Sequence, residues 1–153
     1  MLRAEPSGNL SWSFKIFEDN RPIGTANFAW FQGLPQPIVV RSEQFTVDPL
    51  NIESNEFVLH QNGSVIAKTR LNGGRFHHRF YVDYGAKSFE IRPDGWSGAG
   101  LEVIENKQKL GAIQRTGRLT RNTQIDLPKY IPTGVRAFIL GYGLNVWAQT
   151  GAA

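Results

Sequence analysis

Three stretches of the chain align without a gap: FKIFEDNRPIG from Phe14, FVLHQNGSVIA from Phe57 and LEVIENKQKLG from Leu101, with starts 43 and 44 residues apart. Each opens on an apolar residue and places a second at offset two (Ile16, Leu59, Val103). A polar residue stands at offset five (Asp19, Asn62, Asn106), an aliphatic at offset nine (Ile23, Ile66, Leu110) and a small residue at offset ten (Gly24, Ala67, Gly111). Alternation, a polar turn and renewed alternation describe a β-hairpin. Asn62-Gly63 is the strongest of the turn signals, because a type I′ turn needs positive φ at both central residues. Whatever this chain folds into must therefore be assembled from three like units.

Each hairpin is followed by further strand-like runs: PIVVRSEQFTVD, then RFYVDYGAKSFEIR, then NTQIDL. Tyr84-Gly85-Ala86-Lys87-Ser88 marks another turn, with glycine available for a left-handed backbone. Units of about four strands imply eleven or twelve in all. Propeller blades have a similar period but need at least four copies. What remains is a closed barrel of about 12 antiparallel strands in three repeated units, or a β-trefoil. A length of 153 residues suits one domain spanning 1–153.

The third unit departs from the pattern. After QIDLPKYIP a fourth strand is due, and the chain supplies GVRAFILGYGLNVWAQ instead. On a helix Val135, Phe138, Ile139, Tyr142 and Val146 share one face. Ala137, Leu140, Leu144, Trp147 and Ala148 cover most of the rest, leaving Arg136, Asn145 and Gln149 as polar exceptions. A helix apolar nearly all round lies in a large core or in lipid. The 14 residues from Val135 to Ala148 span about 21 Å, short of the ~30 Å of a hydrocarbon core. The stretch thus reads as a structural central helix over about 134–149 with Thr133 as its N-cap. Phe138, Ile139, Tyr142, Val146 and Trp147 should be buried, Gly141 and Gly143 should sit where the walls press closely, and Arg136 should emerge near one rim. The competing reading is a pair of strands joined at Gly141-Tyr142-Gly143, as a trefoil would require.

The segment LGAIQRTGRLTRNTQIDLPKYIPTGVRAFILGYGLNVWAQ, residues 110–149, resembles the C-terminal part of the tubby-like superfamily, which includes tubby C-terminal domains, phospholipid scramblases and LURP-one-related proteins. The likeness runs through Gly111-x-Ile113-x-Arg115, a basic stretch, Ile125-Asp126-Leu127-Pro128, a polar turn and the apolar helix with its internal Gly141. It implies a closed barrel with the C-terminal helix threaded along its axis. The Cys-rich and Pro-rich N-terminal regions of scramblases are missing, and no acidic segment resembling a calcium site follows the helix, so scramblase activity is not implied. The long N-terminal region of tubby proteins is missing too, and their phosphoinositide-contacting basic residues do not align to specific positions here.

Chemistry is sparse. The chain has no cysteine, which excludes disulfides and thiolate metal sites. His77 and His78 face opposite sides of any strand and read, with Arg75 and Arg79, as a surface turn; His60 stands alone. GWSGAG at Gly95–Gly100 lacks a following helical pattern and reads as a connection. Glu102, Glu105 and Asp126 pair with no orienting group, and no HExxH or GxSxG occurs. The expectation is a non-enzymatic protein with no cofactor and no metal.

Charge is more informative. The net +4 divides into −3 over residues 1–63 and +7 over residues 64–153, an asymmetry that suits an anionic partner. Lys68 and Arg70 alternate on one strand face, and Arg115, Arg118 and Arg121 cluster across a turn. These five are the candidate lipid- or anion-binding residues, for an anionic phospholipid or phosphoinositide surface that attracts each charge by about 1 kcal/mol. The alternative is a trefoil-like or barrel protein binding carbohydrate or a protein partner through Trp12, Trp30, Phe31 or Trp96. Nucleic acid is not expected, since aromatics do not interleave with the basic clusters. With no apolar leader at the start, the expectation is a cytoplasmic monomer in peripheral contact with membranes.

Overall fold

A computed structural model describes residues 1–8, 11–51, 56–73, 79–93, 100–116 and 121–149. His77, His78, Arg118, Trp96 and the glycine-rich run before Gly100 lie outside the described residues. The strands are β1 (Leu2–Pro6), β2 (Ser13–Glu18), β3 (Arg21–Asn27), β4 (Gln36–Val40), β5 (Glu43–Asn51) and β6 (Glu56–Gln61). They continue as β7 (Ser64–Asn72), β8 (Arg79–Tyr84), β9 (Lys87–Pro93), β10 (Gly100–Glu105), β11 (Gln108–Arg115) and β12 (Thr123–Asp126), before one helix, α1 (Thr133–Gln149). Every strand pairs antiparallel with its sequence neighbours, and β1 also pairs with β12, so the sheet closes into a barrel.

The repeat acquires a physical meaning here. Its offset-five residues sit at positive φ in two-residue turns: Asp19-Asn20 (49° and 67°), Asn62-Gly63 (52° and 79°) and Asn106-Lys107 (51° and 65°). Its aliphatics, Ile23, Ile66 and Leu110, are the extra residues of three equivalent β-bulges, because the register skips them between Ile16 and Phe17, Leu59 and His60, and Val103 and Ile104. All three pack, partly buried, against the core. A bulge bends its strand and adds twist, so three at matching places help to curl the sheet shut. The small residue that follows lies under the next strand: a Cβ on Gly24 would stand 1.8 Å from the Val39 carbonyl oxygen, and one on Gly111 1.8 Å from that of Asp126.

Two units supply four strands each, β2–β5 and β6–β9, and the third supplies β10–β12. The missing position between β12 and β2 is filled by β1, the LRAEP strand that the repeat pattern does not contain. The third unit's own last element is thereby free to be the helix.

The helix fills the barrel. Residues from Gly134 to Trp147 are all buried, among inward side chains such as Phe14, Ile38, Phe57, Leu59, Phe89 and Ile113. Phe138 stacks on Trp30 with ring centroids 5.2 Å apart, and Tyr142 meets Phe57 and Phe80 edge-on at 6.3 and 6.1 Å. The walls do press on the two glycines: a Cβ on Gly141 would lie 2.6 Å from the Phe28 ring, and one on Gly143 2.7 Å from Ile113. The two-strand reading of this stretch, and the trefoil with it, is overturned.

Two details differ from expectation. Pro132, not Thr133, holds the N-cap position, its carbonyl accepting from the Arg136 N–H at 2.9 Å. Arg136 does not emerge at a rim; its side chain is 4% exposed and meets the Glu18 carboxylate at 2.7 Å. It also donates to the Ile131 carbonyl at 2.9 Å and the Thr133 hydroxyl at 3.1 Å. A guanidinium can be buried when its donors all find acceptors, and Glu18 on β2 supplies the charge that makes this possible. Arg41 closes on the same carboxylate from the β4–β5 turn.

Among the described residues no helix is long and apolar enough to cross a membrane. The barrel carries its aromatic and aliphatic residues inside and charged residues such as Arg3, Glu5, Lys15, Lys68 and Arg70 outside. A lipid-spanning barrel needs the reverse on its outer face.

Candidate anion-binding surface

Alternation on β7 turns Ala67 and Thr69 inward and Lys68 and Arg70 outward, so the expectation that these two cations share a face holds. They differ in what surrounds them. Arg70 donates to both carboxylate oxygens of Asp83 on β8, at 3.0 and 3.2 Å, and to the Ser88 hydroxyl on β9 at 3.1 Å. Its guanidinium also lies 4.3 Å over the Tyr81 ring. Burial would push the Asp83 carboxyl up, but the hydrogen bonds from Arg70 and Ser88 outweigh it and hold the group below the usual carboxylate range. The Asp83 bond in turn raises the Arg70 guanidinium. Arg70 is thus a brace across three strands with its charge already matched. Lys68 is exposed and has no ion-pair partner among the described residues.

Arg115 and Arg121 lie elsewhere, at the end of the barrel where β11 and β12 are joined. Arg115 stands 5.2 Å over the Trp147 ring of the helix. Arg121 lies 4.5 Å over Trp12 and hydrogen-bonds the Ser11 carbonyl, with its guanidinium lowered by burial. Both cover aromatic surface. The five predicted residues therefore do not form one site: two share a wall, two cap an end, and Arg118 is outside the described residues.

The wall holds a feature that inspection of the sequence missed. The outward residues of β8 and β9, together with the β10–β11 turn, enclose a cleft of about 370 Å³ lined by Arg79, Tyr81, Ser88, Glu90, Arg92 and Lys107, with Ile104 and Asn106. Its floor is apolar, Ile104 being buried on the outer face. Three cations stand around it against one carboxylate. Arg92 is partly engaged, its Nε 3.3 Å from Glu102, whereas Arg79 and Lys107 are exposed and have no ion-pair partner among the described residues. The alternation in RFYVDY and KSFEIR could have placed Arg79, Tyr81, Glu90 and Arg92 on one face. Only the register of β9 against β10, with Glu90 opposite Ile104, brings the Lys107 turn alongside them.

The proposed aromatic platforms fare unevenly. Trp30 is buried in the core and cannot stack on a ligand. Trp12 is partly covered by Arg121 and packs edge-on against Phe31 at 5.0 Å, leaving Phe31 as the exposed ring. Among the described residues no three His, Asp or Glu side chains gather as metal ligands would. Comparison with family models, with curated proteins and with solved structures finds no match to this chain.

Proposed function

We propose that the chain is a non-enzymatic module of tubby-like architecture that associates peripherally with anionic phospholipid, phosphoinositides included, through the outer wall of β7–β10. The observation that carries this reading is the cationic cleft. Arg79, Arg92 and Lys107 surround a half-open hollow floored by Ile104, with Lys68 exposed on the adjoining strand. Arg79 and Lys107, which have no ion-pair partner among the described residues, can meet phosphate oxygens, and a fluid anionic surface needs no enclosed pocket. The barrel closed around a C-terminal helix supports the likeness to that superfamily.

The test is co-sedimentation with phosphatidylcholine vesicles with and without phosphatidylserine or a phosphoinositide. Binding should rise with anionic lipid and fall with salt. Each of Lys68→Gln, Arg79→Gln and Lys107→Gln should weaken it by roughly fivefold, from about 1 kcal/mol per charge. Arg70→Gln should matter less, because that charge is matched by Asp83. Binding that ignores both lipid charge and salt, or no binding at all, would refute the reading.

A further inference from the structure

The connections at the end of the barrel where the helix finishes expose large apolar side chains, and the backbone puts them there by three separate devices. In the turn of 3-10 helix at Trp30–Gln32, Trp30 goes into the core and its neighbour Phe31 points out, 41% exposed. Gly33 then takes a left-handed conformation (φ 77°), and Leu34 beyond it is 60% exposed. On β5 the register against β6 skips Leu50, which is left outward at 64% exposure. From Phe31 a chain of contacts runs to an aromatic and then a cationic side chain. Trp12 packs on Phe31, and the Arg121 guanidinium lies on Trp12. Arg79 and Arg92, from the cleft already described, sit toward the same end of β8 and β9.

Water-exposed leucine and phenylalanine on a connection contribute nothing to the core and carry an aggregation cost, so their exposure asks for a use. Apolar tips, then tryptophan, then arginine is the order that a bilayer leaflet presents from acyl chains through interface to headgroups. Arginines beside apolar tips also fit an anionic leaflet by charge. The opposite end exposes Met1, Val65 and Tyr130, but among the described residues it has no tryptophan beside them: the Met1 amine is paired with Asp19 at 3.1 Å, Lys87 lies 4.5 Å over the Tyr130 ring and Lys129 is paired with Asp19 at 3.0 Å.

We infer that Phe31, Leu34 and Leu50 form a wedge that enters the outer acyl layer of an anionic bilayer, with Trp12 and Arg121 at the interface and Arg79 and Arg92 as the cleft cations nearest to it. This rests on the anionic-phospholipid reading above and adds a salt-resistant component to it. Replacing Leu34 or Leu50 by serine is expected to weaken vesicle binding at high salt by about fivefold to tenfold each.

Because the chain lacks cysteine, Leu34→Cys and Val65→Cys can each carry a single environment-sensitive fluorophore, at sites of equal 60% exposure on opposite ends. Both variants are mixed with phosphatidylcholine vesicles containing phosphatidylserine, and sedimentation is measured in parallel. The label at position 34 should shift to the blue and be quenched by a lipid-attached quencher, while the label at position 65 stays in water. Sedimentation with both labels still in water would overturn the wedge, leave the electrostatic reading standing and free this end for a protein partner. Absence of sedimentation would overturn the phospholipid reading itself, and the wedge with it.

Discussion

The two ends of the barrel are closed by different materials. Where the helix begins, the strands are joined by tight turns at Asp19-Asn20, Arg41-Ser42, Asn62-Gly63, Gly85-Ala86 and Asn106-Lys107. The helix is anchored at that end by charge, Arg136 on Glu18, with Arg41 on the same carboxylate. Where the helix ends, the connections are longer, and Asn145 anchors it through neutral hydrogen bonds. Asn145 donates to the Phe28 carbonyl at 3.0 Å and to the Gly141 carbonyl at 2.8 Å, tying the last turns of the helix to the connection that leads into Trp30 and Phe31. One end thus holds the helix by a buried ion pair, and the other holds it by neutral hydrogen bonds while displaying Phe31 and Leu34 on the connection so tied.

The sharpest way to break the comparison is to remove its charged anchor. Arg136→Ala leaves the Glu18 carboxylate buried without its partner on the helix and should cost about 3–5 kcal/mol by urea unfolding. A paired Arg136→Met, Glu18→Met variant should recover most of that loss, since an apolar pair of similar volume leaves no buried charge. If Arg136→Ala cost no more than about 1 kcal/mol, the anchor would be a surface pair in energetic terms, and the contrast between the ends would fail.

The neutral anchor should matter less. Asn145→Ala leaves the Phe28 carbonyl without its side-chain donor and is expected to cost about 1–3 kcal/mol. It should also loosen the connection carrying Phe31, visible as faster amide exchange there than at the turns of the other end.

Acid distinguishes the ends without mutation. Burial alone would raise the Glu18 carboxyl, but the hydrogen bonds from Arg136 and Arg41 prevail and hold it below its ordinary value of 4.5. The folded chain therefore keeps this proton off more readily than the unfolded chain does. The stability so gained is complete above pH 4.5 and declines as pH falls below it toward the folded value. The urea midpoint of the native chain should fall in that window, and Glu18→Gln should flatten the slope, whereas Asn145→Ala should leave the slope unchanged.

The smallest effects belong to the outer wall. Lys68→Gln and Lys107→Gln should change stability by no more than about 0.5 kcal/mol while weakening vesicle binding. A stability loss as large as that of Asn145→Ala would mean that these lysines hold the wall together instead of facing a ligand.

What could be read from the residues, and what could not, follows the range of the forces involved. Turn φ angles, strand alternation and an all-round apolar helix are local consequences of residue type, so the hairpin repeat, the strand count and the buried helix were legible in the sequence. The resemblance pointed to the same barrel. Arg136 was misplaced because an arginine in an apolar run reads as a rim residue until its counter-charge is known, and Glu18 is far away in the chain. The same holds for Arg70, which looks like a free cation until β8 brings Asp83 beneath it, and for Arg121, which lies folded over Trp12. The sequence by itself determined three hairpins of one pattern and one helix that water would not accept. Tertiary structure alone decided that LRAEP should fill the twelfth position, that the helix should be held at one end by a buried ion pair, and that Arg79, Arg92 and Lys107 should share a cleft. Charges are satisfied and clefts assembled by strand register across the barrel, and the spacing of residues along one chain carries no record of that register.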